Sequence, residues 1–392
     1  MLTRLGRRAG LAAAAATAVV VTALFSGATL AGATPAAPQA YHPPAIKHVW
    51  VIQLENESIG DTFGDTSYPY LSKTLPSMGA LLKDYYAIGH HSLDNYIAEI
   101  SGQAPDSDTQ NDCPILMPFP SKATVNSTYH QVEGNGCIYP ASVQTLGNQL
   151  SARGLSWAAY MQDMGNVPSR DHTTQTSQGP ACGHAPTGSA DTTEKATAAD
   201  MYAARHEGFM YFESVTGNKA YCDAHILSFQ PLLKNLSKAS TTPSFSWVTP
   251  NLCNDGHDSP CANGQPGGVK QINAFLQQWI PRIMNSPAYR TGLIIITFDE
   301  ADTSTAAACC GETSGKSASH PNVAEPGQTG PGGGLIGAIA ISPFIKPGTV
   351  SKADYNHYSM LRSIEQIFGL SYLGDAAMPQ VRSFGADVYT RS

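Results

Sequence analysis

Acidic residues follow several of the short apolar runs of this chain. Val49 to Leu54 ends in Glu55-Asn56, Leu293 to Phe298 ends in Asp299-Glu300, and Phe245 to Val248 leads on to Asn251, Asp255 and His257. An acidic pair taken alone is usually a solvated loop pair. Here the preceding runs are too apolar for surface strands, and like charges at the rim of a core repel unless a cation neutralises them. That reasoning selects Glu55, Asn56, Asp299 and Glu300 as metal ligands. Ser92 opens a helical pattern that runs to Ser101 and stops at Gly102. Its bland role is a helix cap. A helix N-terminus also binds phosphate through its free N–H groups and lowers the pKa of a hydroxyl beside it. A serine on a divalent cation there is an activated nucleophile that needs no histidine base. Asn95 is then placed to donate to a phosphoryl oxygen. Of the histidines, His257 and His357 are candidates for contact with the phosphate or for protonating a leaving group. His206 and His172 carry a weaker signal, and His42, His48, His130 and His320 are assigned no role.

Elements of two kinds must position these residues. Apolar runs at Val49 to Leu54, Tyr85 to Ile88, Trp157 to Tyr160, Phe245 to Val248, Leu293 to Phe298 and Ile336 to Ile341 read as buried strands. Helical patterns lie between several of them: Val143 to Leu155 with Ser142 as N-cap, Ala199 to His206, Val269 to Met284, and Ser359 to Phe368 closed by Gly369. The alternation predicts an α/β fold, a doubly wound, mostly parallel sheet with helices on both faces. Ligands of such sheets bind at the carboxyl ends of the strands, where the acids are. Two stretches rich in Pro, Gly, Ser and Thr, Ala104 to Tyr139 and Asp171 to Thr197, break the pattern and read as disulfide-stapled loop insertions walling a cleft. A third polar stretch runs from Ala301 to Gly334.

The chain opens with Arg4, Arg7 and Arg8 before an Ala/Val/Leu-rich stretch and a Pro/Ala spacer, which reads as a signal peptide and short spacer over residues 1–40. The route of export, general or twin-arginine, stays open. Residues 41–392 are read as a single domain. Loss of the three arginines takes the formal charge from -7 to -10. With no Lys/Arg run, nucleic-acid binding is disfavoured, and no basic amphipathic helix suggests stable membrane insertion. Eight cysteines in an exported chain favour disulfides over metal thiolates. Short separations suggest Cys113 with Cys137, Cys182 with Cys222 and Cys253 with Cys261, while Cys309 and Cys310 are either a vicinal pair or joined elsewhere.

Five segments, taken in order, resemble the bacterial phosphoesterase family of secreted acid phosphatases and phospholipases C, within the alkaline-phosphatase-like superfamily. They are His48 to Asn56, Ser92-Leu93-Asp94-Asn95-Tyr96 to Gly102, Thr249 to Asp258, Ile296 to Glu300, and Tyr355 to Glu365. The resemblance implies an alkaline-phosphatase-like fold and a metal held by Glu55, Asn56, Asp299 and Glu300, with Ser92 bridging metal and phosphorus. It implies His257 at the phosphate or the leaving group, His206 near the substrate, and a two-step displacement through a phosphoserine that water hydrolyses with the metal's help. Two positions depart from the family pattern. Asp94 stands where proline is usual, adding a negative charge beside an anionic substrate, and Glu207-Gly208 stands where Asn-Pro is more frequent.

The expected function is therefore a secreted, metal-dependent phosphomonoesterase, with phosphoinositide phosphates among the candidate substrates. The alternatives are a phospholipase C acting on a phospholipid headgroup and a non-catalytic secreted binding protein on the same fold. Oxygen donors suit Ca, Mg or Mn, and recruitment of His257 or His357 would admit Zn or Fe.

Overall fold

The computed structural model of the chain describes residues 41–391 except 122, 126–127, 303–305 and 312–331. The signal-peptide reading and His320 lie outside the described residues. Strand β1 (His48–Leu54) is buried at every residue after the first. Strands β4 (Trp157–Met161), β8 (Phe245–Thr249) and β9 (Gly292–Phe298) are buried throughout. Successive strand residues point to opposite faces, so unbroken burial means that both faces of the sheet are covered.

These four strands lie in a ten-stranded sheet. Its spatial order is β11 (Thr349–Ser351), β2 (Ala80–Leu82), β10 (Ala338–Ile341), β9, β1, β8, β4, β7 (Ile226–Ser228), β6 (Gly179–Ala181) and β5 (Thr174–Thr176). The central run from β9 to β7 is parallel. Antiparallel pairing enters through β10 on one side and through β6 and β5 on the other. The expected doubly wound, mostly parallel sheet is thus present, with an antiparallel hairpin added at one edge. That hairpin is built from the Asp171 to Thr197 stretch, whose strands, only three residues long, carry too little pattern to differ from loop in sequence.

Other local expectations shift. Of the run Tyr85 to Ile88 only β3 (Tyr85–Tyr86) is strand, and it pairs with β12 (Tyr355–Asn356) outside the main sheet. The helix expected from Val143 begins at Leu146, and its cap is Thr145, not Ser142. The Asn148 N–H donates to Thr145 Oγ1, and Asn148 Oδ1 accepts from the Thr145 N–H at 2.8 Å. This reciprocal pair fixes the first turn. Ala199 to His206 holds no α-helix, only one 3₁₀ turn at Ala204–His206. The Gly268–Met284 helix follows the expected pattern and buries Ile272, Phe275, Leu276, Trp279, Ile280 and Ile283 as one stripe. The His357–Phe368 helix is capped by Asn356 and ends at Gly369 in the left-handed region.

The three suggested disulfides are present, and Cys309 bonds to its neighbour Cys310. Cys113–Cys137 staples the first insertion, and Cys182–Cys222 ties the second to the Lys219–His225 helix. No described helix is long and apolar enough to cross a membrane.

Candidate active site

β1 and β9 pair in register from His48 with Gly292 to Leu54 with Phe298, so both end at one level. Beyond them the Asp299 N–H donates to the Leu54 carbonyl at 2.9 Å, and the Glu55 N–H donates to the Asp255 carbonyl at 3.0 Å. Glu55 therefore sits between the loops that follow β8 and β9. Gly256 makes the β8 loop feasible: its φ is +108°, and a Cβ there would fall 2.4 Å from Ile272 Cδ1.

Ser92 is the first residue of the Ser92–Ser101 helix, whose ten residues are all buried. Its hydroxyl donates to Glu55 Oε2 at 2.8 Å, and the Tyr96 hydroxyl donates to Glu55 Oε1. Residues i and i+4 share a helix face, so Ser92 and Tyr96 together clamp one carboxylate. The loop before the helix is held by Asn95, whose Oδ1 accepts from the N–H groups of Ile88 and Gly89 and whose Nδ2 donates to the Gly89 and His91 carbonyls. In this structure Asn95 shapes the approach to Ser92 instead of pointing at a phosphoryl oxygen.

Five carboxyls converge here fully or almost fully buried: Glu55, Asp94, Asp255, Asp299 and Glu300. Burial, reinforced by the charges of Asp299 and Asp255, pushes Glu55 well above the usual carboxylate range. Burial does the same to Asp255 and raises Asp299. Glu300 is pushed up to about 7 by burial, although the buried His90 ring lies against its Oε2. Asp94 is raised well above its usual range by burial and then by Glu300, Asp112 and Asp299, and its Oδ2 has no hydrogen-bond partner. A cation bound among them would offset this crowding of like charge.

The donor sets fit one. The outer amide atom of Asn56 lies 3.3 Å from Glu55 Oε2 and 3.1 Å from Glu300 Oε1. As nitrogen it donates to both; as oxygen it joins them as a third donor for a hard cation. The Asn56 N–H meanwhile donates to Asp299 Oδ1 at 2.9 Å, with Asn56 in the left-handed region. On the other side of Glu55, ligand atoms of Glu55, His206 and Asp255 lie within 4.8 Å of one another. The structure thus brings Glu55, Asn56, Asp299 and Glu300 together and places His206 and Asp255 beside Glu55. A second grouping, Cys182, His184 and Cys222, fails the same test, because its thiols are joined as a disulfide.

His206 stacks on Tyr96, with ring centroids 5.5 Å apart. Its Nδ1 lies 3.0 Å from Asp255 Oδ2, and its buried Nε2 has no partner. Burial, then Arg205 and His257, hold its pKa well below the ordinary value. His206 reaches this place because Gly208 lets the chain press on the Ser92 helix: a Cβ at Gly208 would fall 2.7 Å from the Tyr96 carbonyl oxygen. Glu207 then closes the following 3₁₀ turn by accepting from the Met210 N–H at 2.9 Å. That is a structural reason for the Glu207-Gly208 departure.

His257 is half-buried, with Nδ1 2.9 Å from Asp258 Oδ1 and Nε2 3.1 Å from the Arg205 guanidinium. Arginine can only donate, so Nε2 accepts and the proton sits on Nδ1. His357 stands behind Asp299 and not at an open face. Its Nε2 is 2.7 Å from the Asp299 carbonyl oxygen and its Nδ1 is 2.8 Å from Glu99 Oε1. Burial alone would lower its pKa, but Glu99 overrides this and raises it. Asn251 organises the β8 loop, donating to Asp163 Oδ2 and accepting from the Cys253 and Asn254 N–H groups.

Sequence reasoning missed His90, Tyr96, Asp112 and Arg205. Tyr96 had a signal, its i+4 spacing from Ser92. Arg205 and Asp112 had none, since tertiary packing alone brings them beside the helix.

Residues 67–371 match the Phosphoesterase family. The chain belongs to that family. It is similar to a probable acid phosphatase of Kluyveromyces lactis, 25% identical over 331 residues that make up 84% of this chain and 60% of that protein. It is also similar to a phosphatidylinositol-3-phosphatase of Mycobacterium tuberculosis, 23% identical over 363 residues, 92% of this chain and 90% of that protein. This phosphoesterase-family chain thus spans about three fifths of the fungal relative and nearly all of the mycobacterial one. Among solved structures, it is similar to an alkaline phosphatase superfamily protein from Vibrio parahaemolyticus. The TM-score is 0.47 at 11% identity, with 88% of this chain and 70% of that one covered.

Proposed function

We propose that this phosphoesterase-family protein is an exported, metal-dependent phosphomonoesterase with Ser92 as nucleophile, and that phosphoinositide phosphates are among its substrates. The observation that carries the reading is the Ser92 hydroxyl, at the N-terminus of a ten-residue helix, bonded at 2.8 Å to the buried Glu55 of a five-carboxyl cluster. The relatives are a phosphatase acting on a phosphoinositide and an acid phosphatase, which favours monoesters. Export is supported by the disulfides.

A divalent cation would be held by Glu55, Asn56, Asp299 and Glu300 with the Ser92 hydroxyl, or by Glu55, His206 and Asp255, and would supply charge neutralisation and a lowered hydroxyl pKa. Glu55 orients the Ser92 hydroxyl by accepting its proton bond, and Tyr96 fixes that carboxylate from its other oxygen. Ser92 Oγ passes its proton to Glu55 Oε2 and forms the bond to phosphorus as the bond to the leaving alkoxide breaks, and Glu55 returns that proton to Ser92 when the phosphoserine is hydrolysed. The alkoxide takes up a proton, and His257 is the proposed carrier once its Nε2 is released from Arg205 and protonated. Water then attacks the phosphoserine, freeing phosphate and restoring the Ser92 hydroxyl. His357 holds the Asp299 main chain from behind throughout.

The test compares p-nitrophenyl phosphate, bis-p-nitrophenyl phosphate and p-nitrophenyl phosphorylcholine, with wild type beside Ser92→Ala, in chelator and with added Ca, Mg, Mn, Zn or Fe. Monoester turnover that needs a cation and falls at least a thousandfold in Ser92→Ala is expected. Preference for either diester would instead make the protein a phosphodiesterase, and no turnover of any of them would end the enzymatic reading.

A further inference from the structure

Asp112 reaches the nucleophile helix from outside it. It lies in the first insertion, just before Cys113 of the Cys113–Cys137 disulfide, and both residues have left-handed backbone, with φ of 53° and 49°. That conformation is costly for residues with a Cβ. Here it turns the Asp112 carboxylate inward. Its Oδ1 accepts from the Leu93 N–H at 3.0 Å, and its Oδ2 lies 3.7 Å from His91 Nδ1 and 3.9 Å from Arg205 Nε. Leu93 directly follows Ser92.

A first-turn N–H, a guanidinium and an imidazole form the donor set that recognises phosphoryl oxygens. Here a carboxylate of the same chain is seated on it. The Arg205 guanidinium is almost fully buried and donates to the Glu194 carbonyl at 3.0 Å, which anchors it independently of His257. The Asp112 side chain is about a quarter exposed (26%), so it has room to swing toward solvent while the disulfide keeps its backbone in place.

We propose that the Leu93 N–H, Arg205 and His91 form the phosphoryl-oxygen subsite of this enzyme, and that Asp112 is an intramolecular carboxylate that substrate and product phosphate must displace. The inference rests on the phosphomonoesterase reading. In it Asp112 sets phosphate affinity, keeping product inhibition low at the expense of KM.

Inorganic phosphate and orthovanadate binding, measured calorimetrically, is compared in wild type, Asp112→Asn and Arg205→Gln. Asp112→Asn keeps the shape and an acceptor for Leu93 but removes the competing charge. It should bind phosphate about tenfold more tightly, with KM and product-inhibition constant lowered together. Arg205→Gln should bind more weakly. If Asp112→Asn binds phosphate as wild type does, or more weakly, Asp112 is only a positioning residue for Arg205 and the proposal is wrong. Should the variants fold poorly, phosphate titration of wild type followed at the Leu93 amide resonance decides, since an unmoved resonance overturns the subsite. A wild type that turns over no phosphomonoester, beside an Asp112→Asn that gains phosphate affinity, would reject the phosphomonoesterase reading while upholding the phosphate subsite and its Asp112 competitor.

Discussion

Replacing Glu55 by glutamine tests the charge logic of the site most directly. Carboxylate oxygens of Glu55 and Asp255 lie within 4.8 Å of each other. At an effective dielectric of about 20, two carboxylates at that separation would repel by about 3.5 kcal/mol if both were ionised, so at pH 8 the folded wild type bears either that repulsion or the cost of holding a proton that the unfolded chain has released. Asp299 adds to this, since its charge also raises the Glu55 pKa. Glutamine keeps one oxygen acceptor for Ser92 or Tyr96 and loses the other, a cost of about 1 kcal/mol. In excess chelator at pH 8, Glu55→Gln should therefore be more stable than wild type by roughly 2 to 3 kcal/mol in urea unfolding. The advantage should shrink toward pH 5 as the wild-type cluster takes up protons. A divalent cation at a hundred times its dissociation constant should stabilise wild type by about 2.7 kcal/mol and the variant far less. A variant less stable than wild type in chelator, yet equally stabilised by cation, would refute the idea that these carboxyls await a shared positive charge.

Gly208→Ala would place a Cβ 2.7 Å from the Tyr96 carbonyl oxygen and 3.1 Å from Ile100 Cδ1. It should lose about 1 to 3 kcal/mol of stability and lower kcat severalfold by shifting the helix that carries Ser92; unchanged unfolding and kinetics would mean that the contact is soft. Burial pushes Glu207 up to about 8 and Asp106 up to about 7. The folded protein thus keeps protons that the unfolded chain has released above pH 4 to 4.5, so these groups stabilise fully at low pH and cease to do so as pH rises through 7 to 8. In chelator, urea midpoints should fall from pH 5 to pH 8, and Glu207→Gln and Asp106→Asn should flatten the slope; midpoints that rise over that range would contradict the assignment.

Apolar strand runs and the acids that end them were legible along the chain, because strand burial and strand-end chemistry are local: Val49 to Glu55 and Leu293 to Glu300 are each a single continuous stretch. The same holds for the helix from Ser92, the family resemblance and the three short-range disulfides. Short elements escaped notice, since a three-residue strand such as Thr174–Thr176 carries too little pattern to stand out from loop. The histidines were visible by type but not by orientation. His357 turns its two nitrogens to Glu99 and the Asp299 carbonyl, whereas His206 joins Glu55 and Asp255, and nothing in either local sequence distinguishes these fates. Asp94 remained without a rationale in sequence. The structure makes it a buried carboxyl with one oxygen unpaired, a fifth member of the cluster.

Residue types and order alone thus specified a parallel α/β frame, a serine at a helix start and acids at strand ends, because each rests on neighbours a few positions apart. Only the folded chain decided that Asp112, Arg205 and His206 meet at that serine. They lie on insertions and loops, and their positions depend on sheet order, a disulfide and the close approach that Gly208 permits.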